Sequence, residues 1–182
     1  IFGPVNGTVW HPYRVISESG SEPFFPQEPI SSSEYYNLFK TSLPAHIIEY
    51  HSAYRTNFDL ILAQTKSSLS ILNIEKIQIV RENFSADLLK VIYDLSVAIF
   101  STNPGYFHLS FSDFAKLYSN PVSDKTKVNI FLVLHDNKPI GFSYNFLVEK
   151  ILIMKTIGLL PEWQEKGIGN ALVHEVHKFA HD

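Results

Sequence analysis

Residues 151–182 read ILIMKTIGLLPEWQEKGIGNALVHEVHKFAHD, and they divide into three parts. Ile151 to Leu160 is a short apolar run beside charged residues, the pattern of a buried strand. Pro161 to Lys166 is a polar turn. Gly167-Ile168-Gly169-Asn170 then opens an amphipathic helix. Two glycines at a helix start let a ligand approach the backbone closely. The first N–H groups of a helix have no internal acceptor and point outward as anion donors. The stretch therefore reads as a phosphate-binding corner.

Two familiar nucleotide corners fail on spacing. A dinucleotide fingerprint needs G-x-G-x-x-G directly after its strand, but Leu172 holds the third glycine position and Pro161 to Lys166 intervene. A Walker loop needs G-K-[ST], and Gly169 is followed by Asn170. What the stretch resembles is the acyl-CoA signature of the GNAT superfamily of N-acetyltransferases, roughly L-x-V-x-P-x-x-[RQ]-x-x-G-x-[GA]. Leu159 stands at the Val position, Pro161 at the Pro, Gln164 at the [RQ], and Gly167 and Gly169 at the glycines.

The resemblance implies acetyl-CoA as co-substrate. It implies that the strand backbone near Ile157 and Leu159 bonds the pantetheine arm as an added strand would. It further implies that the N–H groups of Gln164, Glu165, Lys166, Gly167, Ile168, Gly169 and Asn170 seat the pyrophosphate. Gln164 in place of Arg keeps the hydrogen bonds and drops a cation, so binding should depend less on salt. The implied reaction is direct attack of a primary amine on the thioester in a ternary complex. It needs a base for the ammonium and an acid for the thiolate. The acceptor would be a small-molecule or peptide amine, and a homodimer is compatible with the family.

Composition is in keeping with this. The chain has 182 residues, 45% of them hydrophobic, enough for one domain or a domain plus a piece of another. A net charge of −3 without a basic cluster argues against nucleic acid. No apolar run reaches the length of a membrane span. The absence of cysteine excludes a disulfide framework and a thiolate nucleophile, and it fits a reducing, cytoplasmic setting. Ile1 is not a Met and no signal-like segment follows it, so the sequence reads as a fragment or one whose true start is unseen.

Along the chain, Thr8 to Ile16 is rich in β-branched and aromatic residues and predicts a strand, demoted to an edge by Pro12. Ser19 to Pro29 is a loop. Ser33 to Leu43 predicts a helix that Pro44 stops, Ala45 to Arg55 a strand, and Asn57 to Ser70 leans to helix. From Glu75 the elements follow as strand, helix (Ala86 to Phe100, capped by Ser85), helix (Ser112 to Tyr118, capped by Ser110 or Ser112) and strand (Asn129 to His135). A turn at Asp136-Asn137-Lys138-Pro139, a strand from Ile140 to Val148, the strand from Ile151 and the last helix complete the order. This is the front part of the superfamily fold, so the resemblance covers Glu75 to Asp182. The expected class is α/β (α+β): a mixed, mostly antiparallel sheet with helices on both faces. The closing strands would be missing or supplied by the N-terminal segment. The expected division is residues 1–72, like the end of such a domain, and residues 73–182, its core. In the front helix Phe39 sits near the family's Tyr place, and Leu43-Pro44 replaces Gly-Phe.

No Glu or Asp lies within Ile151 to Leu160, so the proton-transfer groups are not readable there. Glu149 and Tyr144 could relay a proton through water, and Tyr36 could serve the thiolate. Each also reads as structural: a solvated charge at a hairpin end and two half-buried aromatics. His174, His177 and His181 share one side of the last helix, opposite Ile168, Leu172, Val176 and Phe179, so they are expected to face solvent rather than a metal. Trp163 reads as packing. Tyr106 to Phe111 reads as core that could also border an acceptor pocket. Two further readings stay open, a CoA-binding or interaction module without catalysis and a structural half of a tandem protein.

Overall fold

The computed structural model describes residues 10–11, 14–21, 24, 30–42, 47–119 and 126–182. By contacts the chain divides into two units: Ile1–Arg55 with Pro104–Phe107, and Thr56–Asn103 with His108–Asp182. The helical residues 57–74 thus belong with the sheet unit.

Among its described residues the first unit holds one helix, α1 (Ser33–Ser42), with no buried residue. The strands expected over Thr8 to Ile16 and Ala45 to Arg55 are not formed among the described residues. Thr8, Val9, Pro12, Tyr13, Pro23, Pro26, Pro29 and Leu43 to His46 lie outside those residues. The physical reason is the lack of a ladder. The Ile16 N–H donates to a side chain, Ser31 Oγ, at 2.9 Å rather than to a neighbouring strand. Ile47, Ile48, Tyr50 and Tyr54 stand exposed, although the Arg14 guanidinium covers the Tyr50 ring at 3.8 Å.

The second unit contains a four-stranded sheet of β1 (Ile77–Glu82), β2 (Thr126–His135), β3 (Lys138–Val148) and β4 (Ile151–Leu159), in that order. Every pairing is antiparallel, so the sheet is not mixed among the described residues. Asp136 and Asn137 turn the β2–β3 hairpin with φ of 48° and 62°, the left-handed values that a two-residue turn requires. The helices are α2 (Phe58–Thr65), α3 (Ser70–Ile74), α4 (Ala86–Phe100), α5 (Phe111–Ser119) and α6 (Ile168–His181). Side chains cap three of them. Asn57 Oδ1 accepts from the Leu60 N–H, Ser85 Oγ from Leu88 and Ser110 Oγ from Asp113.

Alternation along β3 sends residues to opposite faces. Phe142, Tyr144 and Phe146 go to the face where α4 buries Leu88, Leu89, Ile92, Leu95 and Ile99 and α5 buries Phe114 and Tyr118. On the other face Phe131, Val133 and Leu159 meet Ile168, Leu172 and Val176 of α6, with Ile71 and Leu72 packed against them. This is an α/β architecture with helices on both faces. The element order from Ile77 is the one that the superfamily resemblance implies. Among the described residues no helix is long and apolar enough to cross a membrane.

Candidate functional site

β4 pairs only with β3, so one edge of it carries no partner strand among the described residues. At its end the Leu160 N–H still bonds Ile140 O at 2.8 Å, and the chain then leaves the sheet. Pro161–Trp163 form one 3-10 turn. The Gln164 side chain folds back, its Nε2 donating to Leu159 O at 2.8 Å. Trp163 packs against the core beside the His135 ring at 4.6 Å, and the Lys166 ammonium lies 4.5 Å from its centroid. Trp163 is therefore a packing residue, as expected.

The turn then bends through two left-handed positions, Glu165 at φ 61° and Gly167 at φ 84°. Ile168, wholly buried, pins the helix start to the core. The donor set is narrower than the resemblance implied. The Gln164 N–H is spent on Pro161 O at 3.2 Å and that of Asn170 on Gly167 O at 3.1 Å. The N–H groups of Glu165 to Gly169 have no main-chain acceptor among the described residues, as the first turn of a helix leaves them. Of these, Ile168 is wholly buried, and those of Glu165, Gly167 and Gly169 belong to residues that line a cleft and can face an anion; the helix dipole adds about 0.3–1 kcal/mol there.

The cleft has a volume of about 660 Å³, within the usual range of ligand pockets. β4 lines it with Ile157, Gly158 and Leu159, the turn with Gln164, Glu165 and Gly167, and α6 with Gly169, Asn170, Leu172 and Val173. Seven of the nine residues singled out in the sequence thus meet at one cleft. Lys166 lies over Trp163 instead, and Ile168 is wholly buried in the core. The opposite wall was not foreseen: it is the end of α4, Ile99 and Phe100, with Asn103 after it. Gly158 was the available signal, because a glycine inside a strand marks close approach by another element. A Cβ there would stand 2.9 Å from Ile99 Cγ2.

Glu149 and Tyr144 are not brought to the cleft. Glu149 sits in the β3–β4 turn, exposed at φ 54°. That turn is at the far end of the hairpin from the Gly141–Leu159 pair, about 26 Å away at ~3.3 Å per residue. Tyr144 is fully buried rather than half-buried, and its hydroxyl donates to Tyr118 O at 2.7 Å. Burial, with Tyr118 beside it, pushes its pKa well up. Burial likewise raises Tyr118, only partly offset by the hydrogen bond to Thr156. Tyr36 is half-buried in α1 of the other unit, with the Lys40 ammonium 5.6 Å from its ring.

On the histidine side of α6, His181 is exposed and His177 half-buried, whereas His174 differs from expectation. His174 is buried, its Nδ1 2.9 Å from Thr65 Oγ1. Phe58 lies 6.2 Å from the His177 ring and 6.0 Å from that of His181. The reason is α2, which packs across α6 and covers His174. Among the described residues no group of three His, Cys, Asp or Glu side chains is placed to hold a metal ion.

No protein-family model matches the chain, and no curated protein does. Among solved structures it is similar to the ribosomal-protein-S18-alanine N-acetyltransferase of Escherichia coli, at 18% identity and a TM-score of 0.43. That likeness covers 57% of this chain and 59% of that one, less than two thirds of the enzyme's length.

Proposed function

We propose that this chain binds acetyl-CoA in the cleft and passes its acetyl group to a primary amine on a small molecule or peptide. One observation carries the reading: the N–H groups of Glu165, Gly167 and Gly169 have no main-chain acceptor among the described residues, and these residues line a cleft together with the end of β4, whose outer edge carries no partner strand there. The motif residues Leu159, Pro161, Gln164, Gly167 and Gly169 create that arrangement locally. The amides take the pyrophosphate, and outward-facing groups of β4 near Ile157 take the pantetheine amides as a neighbouring strand would. The amine attacks the thioester carbonyl, the C–S bond breaks, and CoA leaves as the thiol. Gln164 acts by holding Leu159 O, which fixes the strand end rather than touching phosphate. Ile99, Phe100 and Val173 supply an apolar wall.

A second reading is a module that binds CoA without transfer. It is favoured by the acid–base inventory of the cleft, where Glu165 is the one carboxylate among the described lining residues and stands on the turn. Calorimetric titration with acetyl-CoA tests both readings, and absence of binding removes both. Release of CoA thiol with a panel of amines separates them: turnover selects the transferase, and binding without turnover selects the module.

A further inference from the structure

The register of β4 against β3 shifts in mid-strand. Thr156 faces Tyr144 and Met154 faces Asn145, so Lys155 is the extra residue of a bulge. A bulge bends its strand and re-aims a side chain. Here it places the Lys155 ammonium over aromatic rings, 5.6 Å from the Tyr118 centroid and 5.7 Å from that of Phe146. Tyr118 is itself fixed by its hydroxyl, 3.2 Å from Thr156 Oγ1. Lys155 as a whole is exposed on the edge strand, whereas the burial of its ammonium end holds its pKa below the usual lysine value. A larger share of the neutral, unprotonated form follows at neutral pH than for a solvated lysine.

The position of this amine matters because the strand edge leaves the cleft in one direction only. From Leu159 the open edge runs back through Ile157 to the bulge, four residues away, or about 13 Å at ~3.3 Å per residue. An arm anchored at the glycine turn and laid along that edge carries its thioester toward Lys155. A tethered amine beside a bound thioester reacts at a high effective concentration without needing to be captured from solution.

We propose that Lys155 is an acylation site of this chain, modified on Nζ by the acyl thioester held along β4. The inference rests on the acyl-CoA reading above. In the step, the Nζ lone pair attacks the thioester carbonyl carbon, the C–N bond forms and the C–S bond breaks. The proton lost from nitrogen goes to the departing thiolate, giving free CoA thiol. The product is a stable amide, so the modification is stoichiometric and turns the cation over Tyr118 and Phe146 into a neutral group.

The test is incubation of the whole chain with acetyl-CoA, peptide mapping by mass spectrometry, and calorimetry in parallel. The expected result is one acetyl group per chain, on the peptide holding Lys155, with equal thiol release and loss of both in Lys155→Arg. Acetyl-CoA that binds and leaves Lys155 unlabelled overturns this inference and spares the binding reading. So does a label spread evenly over the exposed Lys90, Lys116 and Lys178. Failure of acetyl-CoA to bind overturns both.

Discussion

Four glycines surround the corner, and the sheet side treats them differently from the helix side. On the sheet side there is no room for a side chain. A Cβ on Gly141 would run into Leu159 Cδ2 and stand 2.7 Å from Gly158 O, while one on Gly158 would stand 2.9 Å from Ile99 Cγ2 and 3.1 Å from Phe100 Cζ. On the helix side there is space. A Cβ on Gly167 meets nothing within 4 Å, and one on Gly169 meets only Leu159 Cδ1 at 3.9 Å. Packing explains the first pair. Gly167 is explained by its left-handed φ. Gly169 has neither reason, and it sits in a helix turn, where glycine is less stable than alanine by about 0.5–1 kcal/mol. What the open pair shares is the cleft, and each substitution below probes one side of this contrast.

The largest effect is expected at Gly141. Its added methyl meets main chain, which cannot swing aside, so Gly141→Ala should destabilise by about 3 kcal/mol and lower Tm by roughly 6–12 °C. Thermal unfolding followed by circular dichroism measures it. A shift under about 2 °C would show that the strand pair yields and that the sheet side is not rigid. Gly158→Ala comes next, at about 1–3 kcal/mol, because a buried isoleucine methyl and the tip of Phe100 must both move. Urea unfolding reads the loss. The same variant narrows the cleft from the α4 side, so acetyl-CoA affinity should fall with it.

How much of this contrast was legible beforehand follows from what each signal depends on. The corner could be read because its chemistry is local: Pro161, Gly167 and Gly169 act on the backbone within a few residues. The same holds for the turn at Asp136-Asn137 and the Ser85 cap, which the structure reproduces. Over the described residues 47–55 the expected strand does not form, because β-branched and aromatic content says only that a segment could pair. Nothing in residues 47–55 says which strand would pair with it. His174 was misread for a related reason, since one apolar stripe predicts one buried side and cannot announce that α2 will pack against another. Tyr144 shows the limit of alternation, which gave its face correctly but not its depth. The α4 wall was visible only as an unexplained glycine in a strand, at Gly158.

On the helix side the effects move from stability to binding. Gly167→Glu places a Cβ at φ 84°, a strain of about 1–2 kcal/mol, with a carboxylate at the open helix start. Acetyl-CoA affinity should drop more than about tenfold, that is beyond ~1.4 kcal/mol. Calorimetry at two salt concentrations separates the charge from the strain, because only the charge is screened. Unchanged affinity would mean that no anion sits at these amides.

Gly169→Ala is the smallest change and the sharpest, because its two consequences have opposite signs. The methyl has ordinary contact distance to Leu159, and alanine is the better helix former, so the fold should gain about 0.5–1 kcal/mol. The same methyl enters the cleft beside the N–H groups of the first turn, where a diphosphate needs the bare backbone, so acetyl-CoA should bind more weakly. Paired urea unfolding and titration on this one variant therefore decide why the glycine is there. Higher stability with weaker binding assigns it to the ligand. Higher stability with unaltered binding leaves the open side of the corner without a function, and lower stability reveals a packing constraint that the 3.9 Å contact does not express.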